Sequence, residues 1–383
     1  MDDQPRISRR ALLAAGAATG AAGLSLAAPA TAAGVTGEVP KGSMRVWQLG
    51  AQQSFDTLEL VERPVPAPGP GQALIRVRYA GIAARDQGIV RQMFPVPPGP
   101  RPATRIPLSE GAGDVLAVGP GETRIRPGDR VTACHWANWV SGPWSPDNYA
   151  ADVGNTIDGW LGEFILLPAS SLARLPDEVT YEHAATLSGS GVTAWHALHE
   201  VARVRSDDTV LTLGTGGVSS FGVLLAKAAG ARVVVTSSSD DKLEALRRLG
   251  ADVTVNYGSN PEWGREVVGK TGGRGASVVL ENVGPGTLDQ SMAASAVNGR
   301  IVLIGTGRPP PRPPNLYGMY VKNLSLKAIS AGSRTMLESL LAAMAQNGIR
   351  PVIAQTVAFE QAVQAWYAIQ KGEQPGKVLI RVG

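Results

Sequence analysis

The stretch LGTGGVSSFG at 213–222 constrains the chain more than any other. An apolar run, Val210–Leu213, leads directly into Gly214, Thr215, Gly216 and Gly217, and the loop opens the amphipathic segment VSSFGVLLAKAAG, which stops at Gly230 before a second apolar run, RVVVT. Strand, glycine turn, helix and strand in that order form a crossover unit, because parallel strands need a long connection and a helix provides it. Gly214 suits the tight turn, Gly216 lets backbone lie against a pyrophosphate, and the helix starting near Val218 aims its first amides at the anion. Ser219 stands where the fingerprint has its third glycine, with a side chain only slightly larger. The stretch is either an ordinary strand-to-helix turn or a dinucleotide cradle, and the strand on each side favours the cradle.

Which dinucleotide follows from the end of the second strand. A carboxylate there bonds the ribose hydroxyls and repels a 2′-phosphate. Here the slot is Ser237 in VVVTSSSDDK, with Ser238 beside it and Lys242 one turn into the next helix. Two hydroxyls and an ammonium suit a phosphate, so NADP(H) is expected. NAD(H) stays open through Asp240 and Asp241, which either cap the helix or lie near the ribose. Tyr257, closing the segment DVTVNY, joins the cofactor-binding candidates.

Around this unit the chain has two rhythms. Residues 44–188 read as short strands broken by Gly/Pro turns such as GPGE at 119–122 and RPGD at 126–129. Ile75, Val77 and Tyr79 alternate with Arg76 and Arg78, the period of a half-buried strand, and the spacing predicts a small antiparallel barrel. Residues 189–332 alternate strands with helices, which predicts an α/β doubly wound parallel sheet. Residues 333–383 add the helix SRTMLESLLAAMAQNG, a short helix around 359–371 and the strand KVLIRV. The 36 Lys and Arg against 32 Asp and Glu are scattered, so no basic stripe marks a nucleic-acid partner. Cys134 is the only cysteine, which excludes an internal disulfide and any cysteine-rich zinc site.

Residues 1–33 differ in composition: Ser8, Arg9 and Arg10 precede an Ala/Gly/Leu stretch that ends Ala30, Thr31, Ala32. The pattern resembles a twin-arginine export signal cut after Ala32 or Ala33, followed by a linker at 34–43. Export to the periplasm or beyond is the expectation; translation from Met44 would leave the protein cytoplasmic. The stretch is too weakly apolar for a membrane anchor.

The phrases PGPGQALIRVRYAGI, GAGDVLAVGPGETRIRPGDRV, LPASSLARLPDEVTYEHAATL and GADVTVNY, with the glycine loop and GKVLIRV, resemble the medium-chain dehydrogenase/reductase superfamily over 44–383, in its alcohol-dehydrogenase-like, quinone-reductase-like branch. The resemblance implies a GroES-like barrel, completed by 333–383, on a Rossmann domain, with substrate in the cleft between them and a homodimer formed through the sheet edge near YVKNLSLKAIS. It also locates the zinc ligands of metal-using members at Ala83, Ser109 and Gly189, none of which replaces a Cys or His ligand. His196 and His199 have i, i+3 spacing, but WHALHEVA reads more simply as a packed helix.

Without zinc, donors or a cation must polarise the substrate oxygen while a nicotinamide delivers hydride. The resemblance places Arg85 and Asp86 at the cleft, Arg85 in the slot of a proton-relay hydroxyl. Arg85 either stabilises an oxyanion or pairs with Asp86; Glu110 is either a proton donor of raised pKa or a structural acceptor. Thr193 and Trp195 are placed near the nicotinamide, and Val283, Gly284 and Gly305 beside the ribose. Trp136 and Trp139, in an insert with Trp144 and Tyr149, either line an aromatic pocket or pack the space of a missing zinc lobe. The expected activity is zinc-independent, NADP(H)-dependent hydride transfer to or from a carbonyl, enone or quinone. Rival readings are an NAD-dependent alcohol dehydrogenase and a non-catalytic dinucleotide sensor.

Overall fold

The computed structural model describes residues 34–50, 55–94, 104–307, 313–372 and 375–383; the leader-like segment 1–33 lies outside them. The first half is built from β1 (Thr36–Gly37), β2 (Ser43–Gln48), β3 (Glu59–Pro64), β4 (Gln72–Ile82), β5 (Glu110–Val118), β6 (Arg130–Ala133), β7 (Phe164–Pro168) and β8 (Leu172–Arg174). The second contains β9 (Thr209–Leu213), β10 (Arg232–Ser237), β11 (Val253–Asn256), β12 (Ala276–Glu281), β13 (Ser295–Leu303) and β14 (Ser325–Ala328); β15 (Ile353–Ala358) and β16 (Lys377–Arg381) follow.

The barrel sheet runs β15-β16-β4-β5-β6-β8, with β1 added to β5 and β7 to β4. In β4, Ile75, Val77 and Tyr79 are buried while Arg76 is exposed, as the alternation predicts. β1 corrects the linker expectation: Thr36 pairs with Val118, so part of 34–43 is woven into the barrel. β16 returns as expected, antiparallel to β4, with Val378 opposite Ile82.

β11-β10-β9-β12-β13-β14 form a parallel sheet of six strands, numbered from β9 in the order 3-2-1-4-5-6. The order reverses between β9 and β12, so the crevice beyond Leu213 and Glu281 is where an open α/β sheet binds its ligand. The halves share a core in which Tyr79, Ala112 and Leu379 cluster with Phe221, Leu340 and Val192. Among the described residues no helix is long and apolar enough to cross a membrane.

Candidate active site

The glycine loop leaves β9 through Gly214, whose φ of +76° is the left-handed conformation that favours glycine. The helix Gly217–Ala228 starts one residue later than Gly216, and a Cβ built on Gly216 would meet nothing within 4 Å. Backbone amides of a twelve-residue helix therefore open onto free space, which fits a pyrophosphate. Ser219 is built into the loop: its Oγ donates to the Leu213 carbonyl and accepts from Asn282 Nδ2, both at 2.7 Å. The serine thus ties β9 to the loop after β12 instead of obstructing the cradle.

Across the crevice, Glu281 organises the loop that follows β12. It is fully buried, and its Oε1 accepts from the Val283 and Gly284 amides and from Thr287 Oγ1. The neighbouring loop after β13 crosses so closely that a Cβ on Gly305 would lie 2.4 Å from the Val283 carbonyl carbon. Val283 and Gly305 face the cleft, and Gly284 lies against the backbone of Gly305 and Gly307. At the other end, Ser237 is buried and receives the Ser239 amide at 3.3 Å, while Ser238 is exposed. Ser239 rather than either aspartate caps the helix Asp240–Arg248, and Asp240 accepts from Asn256 Nδ2 at 2.8 Å. Lys242 lies in the first turn and Tyr257 is 42% exposed, so both stand by open surface at this edge.

Between the halves lies a cavity of about 1280 Å³. Its floor is the glycine loop; its walls include Arg85, His135, Trp136, Tyr149, Ser190 and Thr193. Four of the catalytic and pocket candidates do not line it, Asp86, Glu110, Trp139 and Trp195, and of the cofactor candidates neither do Gly214, Ser237, Ser238, Lys242, Tyr257 and Gly284. Asp86, the third residue of the helix Ala84–Val90, is buried; its Oδ2 caps the Ala83 amide at 2.8 Å and its Oδ1 accepts from the Ser109 amide and hydroxyl. Burial raises its pKa, opposed by the charge of Arg85 and the Ser109 donor. Trp139 turns its indole to the Gly142 carbonyl at 2.9 Å and packs on His196, and Trp195 stacks on His199. His196 meanwhile contacts the Ala331 carbonyl, so the two histidines diverge.

Glu110 also departs from the proton-donor expectation. The helical run 187–201 begins in wide turns, and the Gly189 amide in its first turn, without an intrahelical acceptor, donates to Glu110 Oε1 at 2.5 Å. Lys377 Nζ lies 2.7 Å from Oε2, and the two side chains are 4% and 0% exposed. Glu110 thus ties β5 to the Gly189 turn and to β16, the structural-acceptor alternative. Ala83 and Gly189 do converge here, since a Cβ on Gly189 would stand 3.3 Å from that of Ala83. Their chemistry does not fit zinc: a methyl, a glycine and a serine already bonded to Asp86 offer no ligand set, and among the described residues no three His, Cys, Asp or Glu cluster around a metal position.

Arg85 pairs with Asp152 instead of its neighbour Asp86, its Nη2 lying 2.8 and 2.9 Å from the two carboxylate oxygens. Its Cζ stands 5.5 Å from the ring centroids of both Phe94 and Trp136. His135, against Trp136, is buried; burial first and the Arg85 charge second hold its imidazole well below the usual pKa, so it is neutral. Sequence reasoning missed Lys377, Asp152 and His135. Only Lys377 left a signal, a lone cation heading the apolar strand KVLIRV.

A cradle at the reversal point of a Rossmann sheet, facing a barrel across a cleft, defines a dinucleotide-dependent oxidoreductase. The chain belongs to the medium-chain dehydrogenase/reductase superfamily: residues 69–177 match the alcohol dehydrogenase GroES-like domain and residues 217–346 the zinc-binding dehydrogenase family. It is 34% identical over 337 residues to a zinc-type alcohol dehydrogenase-like protein of Schizosaccharomyces pombe, covering 86% of this chain and 96% of that one. An acryloyl-coenzyme A reductase of Metallosphaera sedula is 28% identical, with 86% and 97% covered. The solved structure of an NAD-dependent alcohol dehydrogenase superposes with a TM-score of 0.80 at 30% identity, covering 89% of this chain and all of that one.

Proposed function

We propose that this oxidoreductase is zinc-independent and prefers NADP(H), transferring hydride to or from a neutral carbonyl, a conjugated enone or a quinone. The observation that carries the reading is the open cradle at Gly216 facing the same cleft as the aromatic wall, with alanine, serine and glycine at the three zinc-ligand slots. Bound there, NADPH supplies a hydride to the electrophilic carbon; with one proton from solvent the substrate is reduced by two electrons and NADP⁺ remains.

The chain's own residues bind and exclude. Amides of the Gly217–Ala228 helix hold the pyrophosphate, and the exposed Ser238 with Lys242 receives a 2′-phosphate. Trp136 and Tyr149, edge to face with centroids 5.0 Å apart, present an apolar wall suited to a flat conjugated substrate. Acryloyl-coenzyme A reduction by a relative is in keeping with conjugate addition of hydride. The reading includes a homodimer built on the edge strand β14, supported by the exposed Tyr317, Tyr320 and Val321 near it, and twin-arginine export of the folded protein with its nucleotide bound.

The test is titration of the purified protein with NADPH and NADH by tryptophan quenching, with metal content measured in parallel. Tighter NADPH binding without stoichiometric zinc is expected, and Ser238→Asp should reverse the preference by repelling the phosphate. Tighter NADH binding by the unaltered protein would assign an NAD-dependent dehydrogenase, and no binding of either would remove the enzyme reading.

A further inference from the structure

His135 has one ring nitrogen tied into the protein and the other open to the cleft. Nδ1 lies 3.3 Å from Ser188 Oγ, which is fully buried and has no other partner among the described residues. The histidine is 2% exposed, and it lines the cleft. Its Nε2 has no partner among the described residues and is not one of the atoms closed off from solvent. Arg85 Nη1 and Trp136 Nε1 on the same wall also lack partners, but both are closed off, so a ligand in the cleft reaches neither.

The Ser188 hydroxyl decides which nitrogen carries the proton. A buried O–H without an acceptor is costly, and Nδ1 is the one acceptor it meets among the described residues. The hydroxyl is therefore assigned as the donor to Nδ1, which leaves the ring proton on Nε2. The Ser188 carbonyl also attracts the ring, but an Nδ1–H turned to it would strand the hydroxyl proton.

A short run of chain brings this imidazole to the nucleotide cradle. Ser188 carries His135, and Ser190, two residues on, abuts the glycine loop, with its Oγ 2.5 Å from where a Cβ on Gly217 would stand. We propose that His135 Nε2–H donates to the oxygen of the carbonyl substrate and holds the negative charge that develops there as hydride reaches the carbon. Ser188 is then a positioning residue, and the inference rests on the hydride-transfer reading given above.

The surroundings suit an uncharged, conjugated carbonyl. His135 is neutral and Arg85 is paired with Asp152, so this wall offers a substrate no free charge. A preset neutral donor gains most as charge appears on the oxygen. The Trp136 ring, its centroid 4.7 Å from that of the imidazole, gives a flat conjugated system a face to lie on with its carbonyl end at Nε2. In the reduction the hydride pair forms the new C–H bond, the π pair of the carbonyl moves to oxygen, and the nicotinamide is oxidised. Nε2 keeps its proton, and solvent protonates the product.

The probe is 4-(dimethylamino)cinnamaldehyde, whose absorbance moves to the red when its carbonyl oxygen is polarised. The unaltered protein should red-shift the bound probe; His135→Phe should abolish the shift while the probe still quenches tryptophan fluorescence. In NADPH-dependent reduction of the same aldehyde, His135→Phe should lower kcat by about 100-fold or more, the effect of removing one oxyanion donor, with NADPH affinity kept. His135→Gln, whose amide retains an N–H, should recover part of that loss. Ser188→Ala should lower kcat less, and the 15N spectrum of its labelled His135 should lose the Nε2–H pattern of the unaltered protein. No red shift with the unaltered protein, or the same shift and kcat in His135→Phe, overturns the proposal. So does a ring proton found on Nδ1 in the unaltered protein, or a loss in His135→Phe confined to KM, which would make the imidazole a wall and not a donor. A protein that shifts the probe through His135 but binds no nucleotide keeps the His135 assignment and loses the hydride reading; one that reduces the aldehyde equally well without the imidazole does the reverse.

Discussion

Lys377 Nζ lies 2.7 Å from Glu110 Oε2, joining β16 to β5 where both side chains are almost wholly buried. Two of the three slots that the resemblance assigns to zinc ligands, Ala83 and Gly189, lie beside this pair. Removing one partner leaves a buried charge uncompensated, so Lys377→Met should cost about 3–5 kcal/mol. The double variant Lys377→Met/Glu110→Gln should recover a large part of that loss. Urea unfolding of both single variants and the double variant checks this; strictly additive losses would mean that the two side chains are not coupled.

Gly216→Ala separates the cradle from the fold. The added methyl meets nothing within 4 Å and the local φ of −75° suits alanine, so the thermal midpoint should not change. The same methyl projects into the space assigned to the pyrophosphate. NADPH binding should weaken by about tenfold or more, which is ~1.4 kcal/mol. Unchanged affinity in a calorimetric titration would move the nucleotide away from this loop.

Ser219→Gly restores the usual fingerprint and should nevertheless do harm. It removes the acceptor of Asn282 Nδ2 and the donor to the Leu213 carbonyl, both inside the protein. A loss of about 1–2 kcal/mol is expected, with no gain in nucleotide affinity. A variant as stable as the parent and binding NADPH more tightly would show that the serine is a defect in the loop.

Stability should fall on mild acidification. His135 is held below its usual pKa by burial and by Arg85; His183, His196 and His199 are lowered as well, burial leading in each. Between each folded value and the unfolded one near 6.5, the unfolded chain carries the extra proton. Stability therefore rises with pH in that window and is lost below it, by up to ~1.4 kcal/mol per pH unit for His135. Asp86 and Asp152, raised by burial, act with the opposite sign, so the comparison to make is His135→Gln against the parent. Urea midpoints on either side of pH 6.5 should show a shallower slope in the variant; parallel slopes would contradict a buried neutral imidazole.

The fold was legible because its signals are local. Alternation in β4 and the strand-loop-helix unit at 209–228 are set by neighbours in sequence, and both are found as read. The cleft was less legible because its partners are distant: Arg85 meets Asp152 and Glu110 meets Lys377 across 67 and 267 residues, separations at which spacing carries no information. Adjacency misled at Asp86, where a capping interaction with the Ala83 amide outcompeted the neighbouring guanidinium. Trp139 and Trp195 misled for a related reason. An indole's size announces burial but not the face it turns, and both turn toward their own helices and loops.

The place of β16 also dictates an order of assembly. It lies between β15 and β4 in the barrel sheet, so a strand made early in synthesis must wait for one that emerges about 300 residues later. The parallel sheet β9–β14 lies wholly between them in the chain and can close first. During translation the barrel strands stand as an unfinished sheet whose β4 edge, covered by β7 over Gln72–Arg76, stays open over Tyr79–Ile82, the kind of edge that recruits other chains. That edge closes only when β16 pairs with Tyr79–Ile82 and brings Lys377 to Glu110.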